Sequence, residues 1–187
     1  MNKREQNEVV NRLADIRGKK LNQVSRAGTM INLGFGDFVK SNTAYKTETG
    51  RYEIKEILMP KYALHIDCDF RIACGDTILS SKSDMFQPNA DIRNNVDFDE
   101  DNFEWDINGA NKLDEFIRMH FSENELEFYV DNIKVNKFGD LKITLSNDFC
   151  IDVFIDTSDT EECWRYFETG NMSSKHVVIR GTGFDEE

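Results

Sequence analysis

Proline is almost absent. Pro60 and Pro88 are the only two in 187 residues, which excludes long proline-rich linkers. No run approaches the ~18 apolar residues of a membrane-spanning helix, so no membrane partner is expected. The start, "MNKREQNEVV", lacks the apolar stretch of a signal peptide. A cytoplasmic protein with reduced thiols is the expectation. Its four cysteines, Cys68, Cys74, Cys150 and Cys163, form neither a C-x-x-C nor paired zinc-ligand spacing. The three histidines, His65, His120 and His176, are scattered, and no serine sits in a glycine-flanked nucleophile turn. No catalytic residue, metal or cofactor is therefore expected.

Basic charge is also short, with 23 Lys and Arg against 35 Asp and Glu, a net of −12. Residues 1–60 carry a net +4, residues 61–110 a net −7 and residues 111–187 a net −9. Such acidity disfavours nucleic acid and attracts basic partners, although solubility alone also accounts for it. What is present suits one domain over residues 1–187, with loops at 40–56 and 87–108. The 14 Phe imply an aromatic core.

Val9, Leu13 and Ile16 recur at helical spacing and Gly18 supplies a stop, so 5–17 reads as a helix. Ile31, Leu33 and Phe35 alternate with Asn32, Gly34 and Gly36, a strand whose glycines imply close backbone approach or a bulge. The polar stretch 40–51 reads as a loop, "YEIKEIL" as a short strand, and Pro60 as a separator.

The segment "LHIDCDFRIACGD", 64–76, concentrates chemistry-bearing residues. Alternation puts Leu64, Ile66, Cys68, Phe70, Ile72 and Cys74 on one face and His65, Asp67, Asp69 and Arg71 on the other. The apolar face reads as core. The polar face is a candidate partner surface and a weak metal site, having one His and no second cluster. Cys68 and Cys74 lie roughly 20 Å apart on one strand, too far to pair. Gly75 and Asp76 turn the chain into a hairpin with "TILSS".

"DFDEDNFEWD", 97–106, holds six carboxylates in ten residues. It fails as an EF-hand, since Asn102 and Asn108 occupy the positions that need Gly and Glu. It reads as an acidic loop anchored by Phe103 and Trp105, with Asp97, Asp99, Glu100, Asp101 and Glu104 as candidate partner-binding residues. Leu113, Phe116, Ile117, His120 and Phe121 mark a middle helix. In the last third, Leu126, Phe128 and Val130 change phase to Ile133 and Val135, implying a bulge near Asp131 and Asn132. Two turns then lead to Leu141, Ile143 and Leu145 and to "FCIDVFI", an antiparallel meander with a central last strand. Ser158 and Glu161 form a capping-box pattern ahead of an expected short C-terminal helix presenting Cys163, Trp164 and Phe167. "HVVI", 176–179, closes the chain as a strand. Strands adjoin strands, so the fold class is α+β: a meander-rich antiparallel sheet with an N-terminal, a middle and a short C-terminal helix.

The segments "GTMINLGFG", "YALHIDCDFRIACGDTIL", "FEWDINGANKLDE", "GDLKITLSNDFCIDVF", "EECWRYF" and "HVVIRGTG" together resemble a family of small uncharacterised bacterial proteins. These look like immunity proteins of bacterial toxin systems. The resemblance spans 18–184, departs from the family pattern at Asp69-Phe70 and in a longer 40–56 loop, and carries no catalytic residues. It implies a non-enzymatic binding protein that neutralises a toxin, whose basic domain the acidic chain would attract. Two other readings stand beside it: a small cytoplasmic enzyme such as a hydrolase, with Cys163 at a helix N-terminus, and a housekeeping interaction protein.

Overall fold

The computed structural model describes residues 1–187 apart from Glu48, Asn124 and Met172 and the side chains of Tyr45 and Lys46. The fold is α+β. In chain order come α1 (Lys3–Leu13), β1 (Leu21–Ala27), β2 (Met30–Lys46), β3 (Tyr52–Ile66), β4 (Asp69–Cys74) and β5 (Thr77–Ser81). They are followed by α2 (Ala90–Arg93), α3 (Lys112–Ile117), β6 (Val130–Val135), β7 (Leu141–Leu145) and β8 (Phe149–Phe154). The chain ends in β9 (Glu162–Glu168), β10 (Val177–Arg180) and β11 (Gly183–Glu186). One sheet has the order β1-β2-β3-β9-β10-β11 and the other β5-β4-β8-β7-β6, and every pairing is antiparallel.

Helix α1 starts on a capping box, Asn2 with Glu5, and buries Val9 and Leu13 completely. A single turn of 3₁₀-helix over Ala14–Ile16 extends it and buries Ile16. In β2, the two glycines do different work. A Cβ on Gly34 would meet Pro60 Cγ at 2.6 Å, so it permits close approach, while Gly36 takes φ +78° where the register with β3 shifts.

The segment 64–74 is not one strand. It changes sheets at Asp67 and Cys68, whose amides both donate to the Cys163 carbonyl, at 2.9 and 3.1 Å. Its alternation survives the crossing. Leu64, Ile66, Cys68, Phe70 and Ile72 are all buried, and the residues of both sheets join α1 in one hydrophobic cluster. The meander behaves as its pattern implies. β8 is the middle strand of the five, and the β6–β7 register shifts between Val130 and Asn132.

Three expectations are corrected. Residues 162–168 form β9, not a helix, and pair with β3 on one side and β10 on the other. Cys, Trp, Tyr and Phe suit a pleated surface, and the gap between two strands supplies ladder bonds that a local capping pattern cannot match. Among the described residues Ser158 caps nothing; Asp159 accepts the Glu161 amide instead, at 2.8 Å. The expected 40–56 loop is mostly strand as well: 52–58 is strand as its sequence reads, but Pro60 does not separate it from the next strand, since β3 runs through Pro60 to Ile66. β2 and β3 continue as a hairpin with unbroken register from Phe38–Pro60 to Lys46–Tyr52, and only the turn around 47–51 is left, with Glu48 outside the described residues. The expected 87–108 loop holds only α2 and one turn of 3₁₀-helix. β11 has no counterpart among the strands read from sequence.

Candidate functional site

The polar residues of 65–71 point outward but serve separate surfaces. His65 lies on the outer face of the six-stranded sheet, edge-on to Phe167 at 4.9 Å. Asp67 accepts the Thr29 hydroxyl at 2.8 Å, and the Asp69 amide donates to Asp156 at 3.0 Å. Arg71 lies on the other sheet, donating to Asp152 at 3.0 Å and stacking over Phe154 at 5.1 Å. Lys142 reaches the same carboxylate at 3.0 Å, so the mostly buried Asp152 is neutralised twice. The sheet change therefore divides the candidate strand face.

His65 joins a cluster that the sequence does not reveal as one. Cross-strand register sets it beside Arg165. Arg165 is gripped by Glu162, at 2.6 Å, and by Glu187, at 2.7 Å, and it donates to His176 Nδ1 at 2.9 Å. Those carboxylates raise its pKa further. Phe167 sits between the two imidazoles, stacked on His176 at 4.7 Å. Burial lowers the pKa of both histidines, and the Arg165 charge lowers it further. Only the alternation within "CWRYFE" carried a signal for this cluster, and a helical reading hides it.

The cysteines sit as a packed interior needs them. Cys68 and Cys163 are buried, and desolvation pushes both thiols up. Cys163 lies on a strand rather than at a helix N-terminus, so no helix dipole activates it. Among the described residues no three His, Cys, Asp or Glu side chains are grouped so as to hold a metal ion.

The acidic loop is pinned at its base. The Asn89 amide donates to the Ala110 carbonyl at 2.9 Å, and the Lys112 amide to that of Gln87 at 2.8 Å. Asn111, fully buried, caps α3 and donates to the Trp105 carbonyl. Trp105 packs edge-on to Phe86 at 5.0 Å under the Arg26 guanidinium, so it anchors the loop as expected. Phe103 instead packs within the loop, against Phe98 at 6.2 Å. Arg26 also forms a buried ion pair, with its Nε and Nη2 on the Asp114 carboxylate at 2.9 and 2.8 Å.

Asp97, Asp99, Glu100, Asp101 and Glu104 are all exposed, and among the described residues none forms an ion pair. Three of them, Asp97, Asp99 and Glu104, rim a hollow of about 420 Å³ whose walls include Ile92, Phe98, Phe103, Ile107 and Ala110. An apolar floor under a carboxylate rim suits a long cationic side chain, which buries its methylenes and keeps its charge at the edge. Comparison with protein-family models, with curated proteins and with solved structures finds no match. Among the described residues no helix is long and apolar enough to cross a membrane.

Proposed function

We propose that this chain is a non-enzymatic binding protein that captures a basic protein partner on its 97–104 loop, in the manner of a toxin-neutralising immunity protein. The observation that carries the reading is the apolar hollow rimmed by Asp97, Asp99 and Glu104. Carboxylates that form no ion pair among the described residues are available to an external cation, and the pinned base lowers the ordering cost on binding. The net charge of −12 extends the attraction beyond contact distance. The sequence resemblance points to the same class of partner.

The test begins with a co-expression pull-down using the product of the gene immediately upstream. Association of the recovered partner is then measured at two ionic strengths. Changing Asp97 and Asp99 to Asn and Glu104 to Gln should slow association at low salt by about tenfold, with the difference shrinking as salt rises. The melting temperature should stay nearly constant, because these side chains hold no ion pair among the described residues. Equal association rates for wild type and variant at low salt would remove the loop from the interface.

A further inference from the structure

We propose that the projecting β2–β3 arm is a self-association surface, and that its occupant is the same arm of a second copy of this chain. β2 pairs with β1 only as far as Phe35, and β3 pairs with β9 only from Tyr62. Residues 38–46 and 52–60 therefore pair with each other alone, among the described residues. An isolated two-stranded ribbon is marginal in water and gains stability when one face is covered.

This ribbon has one face built for covering. The register sets Phe38 opposite Pro60, Lys40 opposite Leu58 and Ala44 opposite Ile54, so the even-numbered residues share a face. On that face Phe38 is 53% exposed, Leu58 64%, Tyr52 75% and Ile54 76%. The opposite face carries Ser41, Thr43 and Lys55 toward the tip, and its apolar residues Val39, Ile57 and Met59 are half-buried toward the body. Four large side chains at these exposures present on the order of 500 Å² of apolar surface, the size of patch that marks an interaction site. Two such stripes face to face bury roughly 1,000 Å², the threshold for a specific interface.

Charge selects the second copy. Residues 38–60 hold four basic and three acidic side chains, while the rest of the chain holds 19 and 32. Two copies meeting through the body would set acid against acid. The arm, with a net charge of only +1, is where they can approach with little repulsion. A basic partner, conversely, is drawn to the body and not to the arm. Lys40 and Glu56, both on this face by register, pair with each other at 2.8 Å, so they need no outside counterion. A twofold axis lets each stripe cover the other by the same contacts.

The experiment is sedimentation velocity on the full chain over about 1 to 100 μM, the range where a modest interface dissociates. Wild type should show a monomer–dimer equilibrium. Changing Ile54 and Leu58 together to Lys should leave a monomer with an unchanged melting transition. Ile54→Thr with Leu58→Thr keeps strand-forming residues, so the ribbon persists, and it should raise the dimer dissociation constant at least about tenfold. Lys55→Glu, on the opposite face, should leave the equilibrium unchanged. A wild type that stays monomeric throughout, or a Thr variant that dimerises as well as wild type, overturns the proposal.

Discussion

Trp164 shows how one side chain joins the two sheets. It is fully buried on β9, and its indole N–H donates to the Gly139 carbonyl at 2.9 Å, in the turn between β6 and β7. Trp164→Ala should cost about 3–5 kcal/mol, from lost burial and the cavity left behind. Trp164→Phe restores much of the volume but strands the buried Gly139 oxygen, and should still cost about 1–3 kcal/mol. Urea denaturation of both variants checks the order. Phe167, three residues on, lies on the outer face between His65 and His176 and does not share the Trp164 environment. The same outer face supplies a pH prediction. Both histidines have folded pKa values below the ordinary ~6.5, so the unfolded chain binds more protons in the interval between. Their contribution to stability is present above about pH 6.5 and is lost as pH falls through that value toward the depressed folded pKa. Melting temperature should drop over this window. His65→Gln with His176→Gln should flatten the profile there, and an unflattened one would reject the assignment.

At the level of elements, β2 and β3 depend on a contact that only glycine allows. Pro60 occupies the space where a Gly34 side chain would stand. Gly34→Ala should therefore force the two strands apart locally and cost about 1–3 kcal/mol, despite alanine's lower entropy cost in the unfolded state. Denaturant midpoints of Gly34→Ala and Gly28→Ala separate packing from backbone strain, since Gly28 has φ +59° and nothing within 4 Å of its absent Cβ. The acidic loop shows the opposite economy. Its tip has almost no packing to lose, while its base is held by backbone hydrogen bonds and by Trp105.

Across the molecule, the Arg26–Asp114 pair ties the β1 edge of one sheet to α3 and to the loop. The Asp114 carboxylate takes two bonds from Arg26 and one from the Gly109 amide, and Arg26 also reaches the Asp106 carbonyl. Asp114→Ala leaves a buried guanidinium without its anion, which should cost about 3–5 kcal/mol. The loop base should loosen at the same time. Limited proteolysis should then cut within 95–106 faster than in wild type, and an unchanged digestion pattern would show that the base is held without the pair.

Much of this architecture was legible because it is local chemistry. Period-two alternation sorted Leu64 to Ile72 and Leu141 to Leu145 into inward and outward sets, and the phase change after Val130 located a bulge. Turn residues placed the hairpin at Gly75 and the ends of the meander, and helical spacing found α1 and α3. The acidic loop was legible as composition. Alternation states which way a side chain points and not which strand lies beside it. Tertiary structure alone therefore decided that 64–74 changes sheets, that 162–168 fills the gap between β3 and β10, and that His65, Arg165 and His176 meet. The first half of the long arm was hidden for the same reason, since Lys40 to Lys46 become strand by pairing across the hairpin with 52–58 and not by a hydrophobic pattern. A residue's facing depends on its immediate neighbours in the chain; its partners depend on ladders closed between segments far apart in it, where the free energy of pairing and burial outweighs local preference.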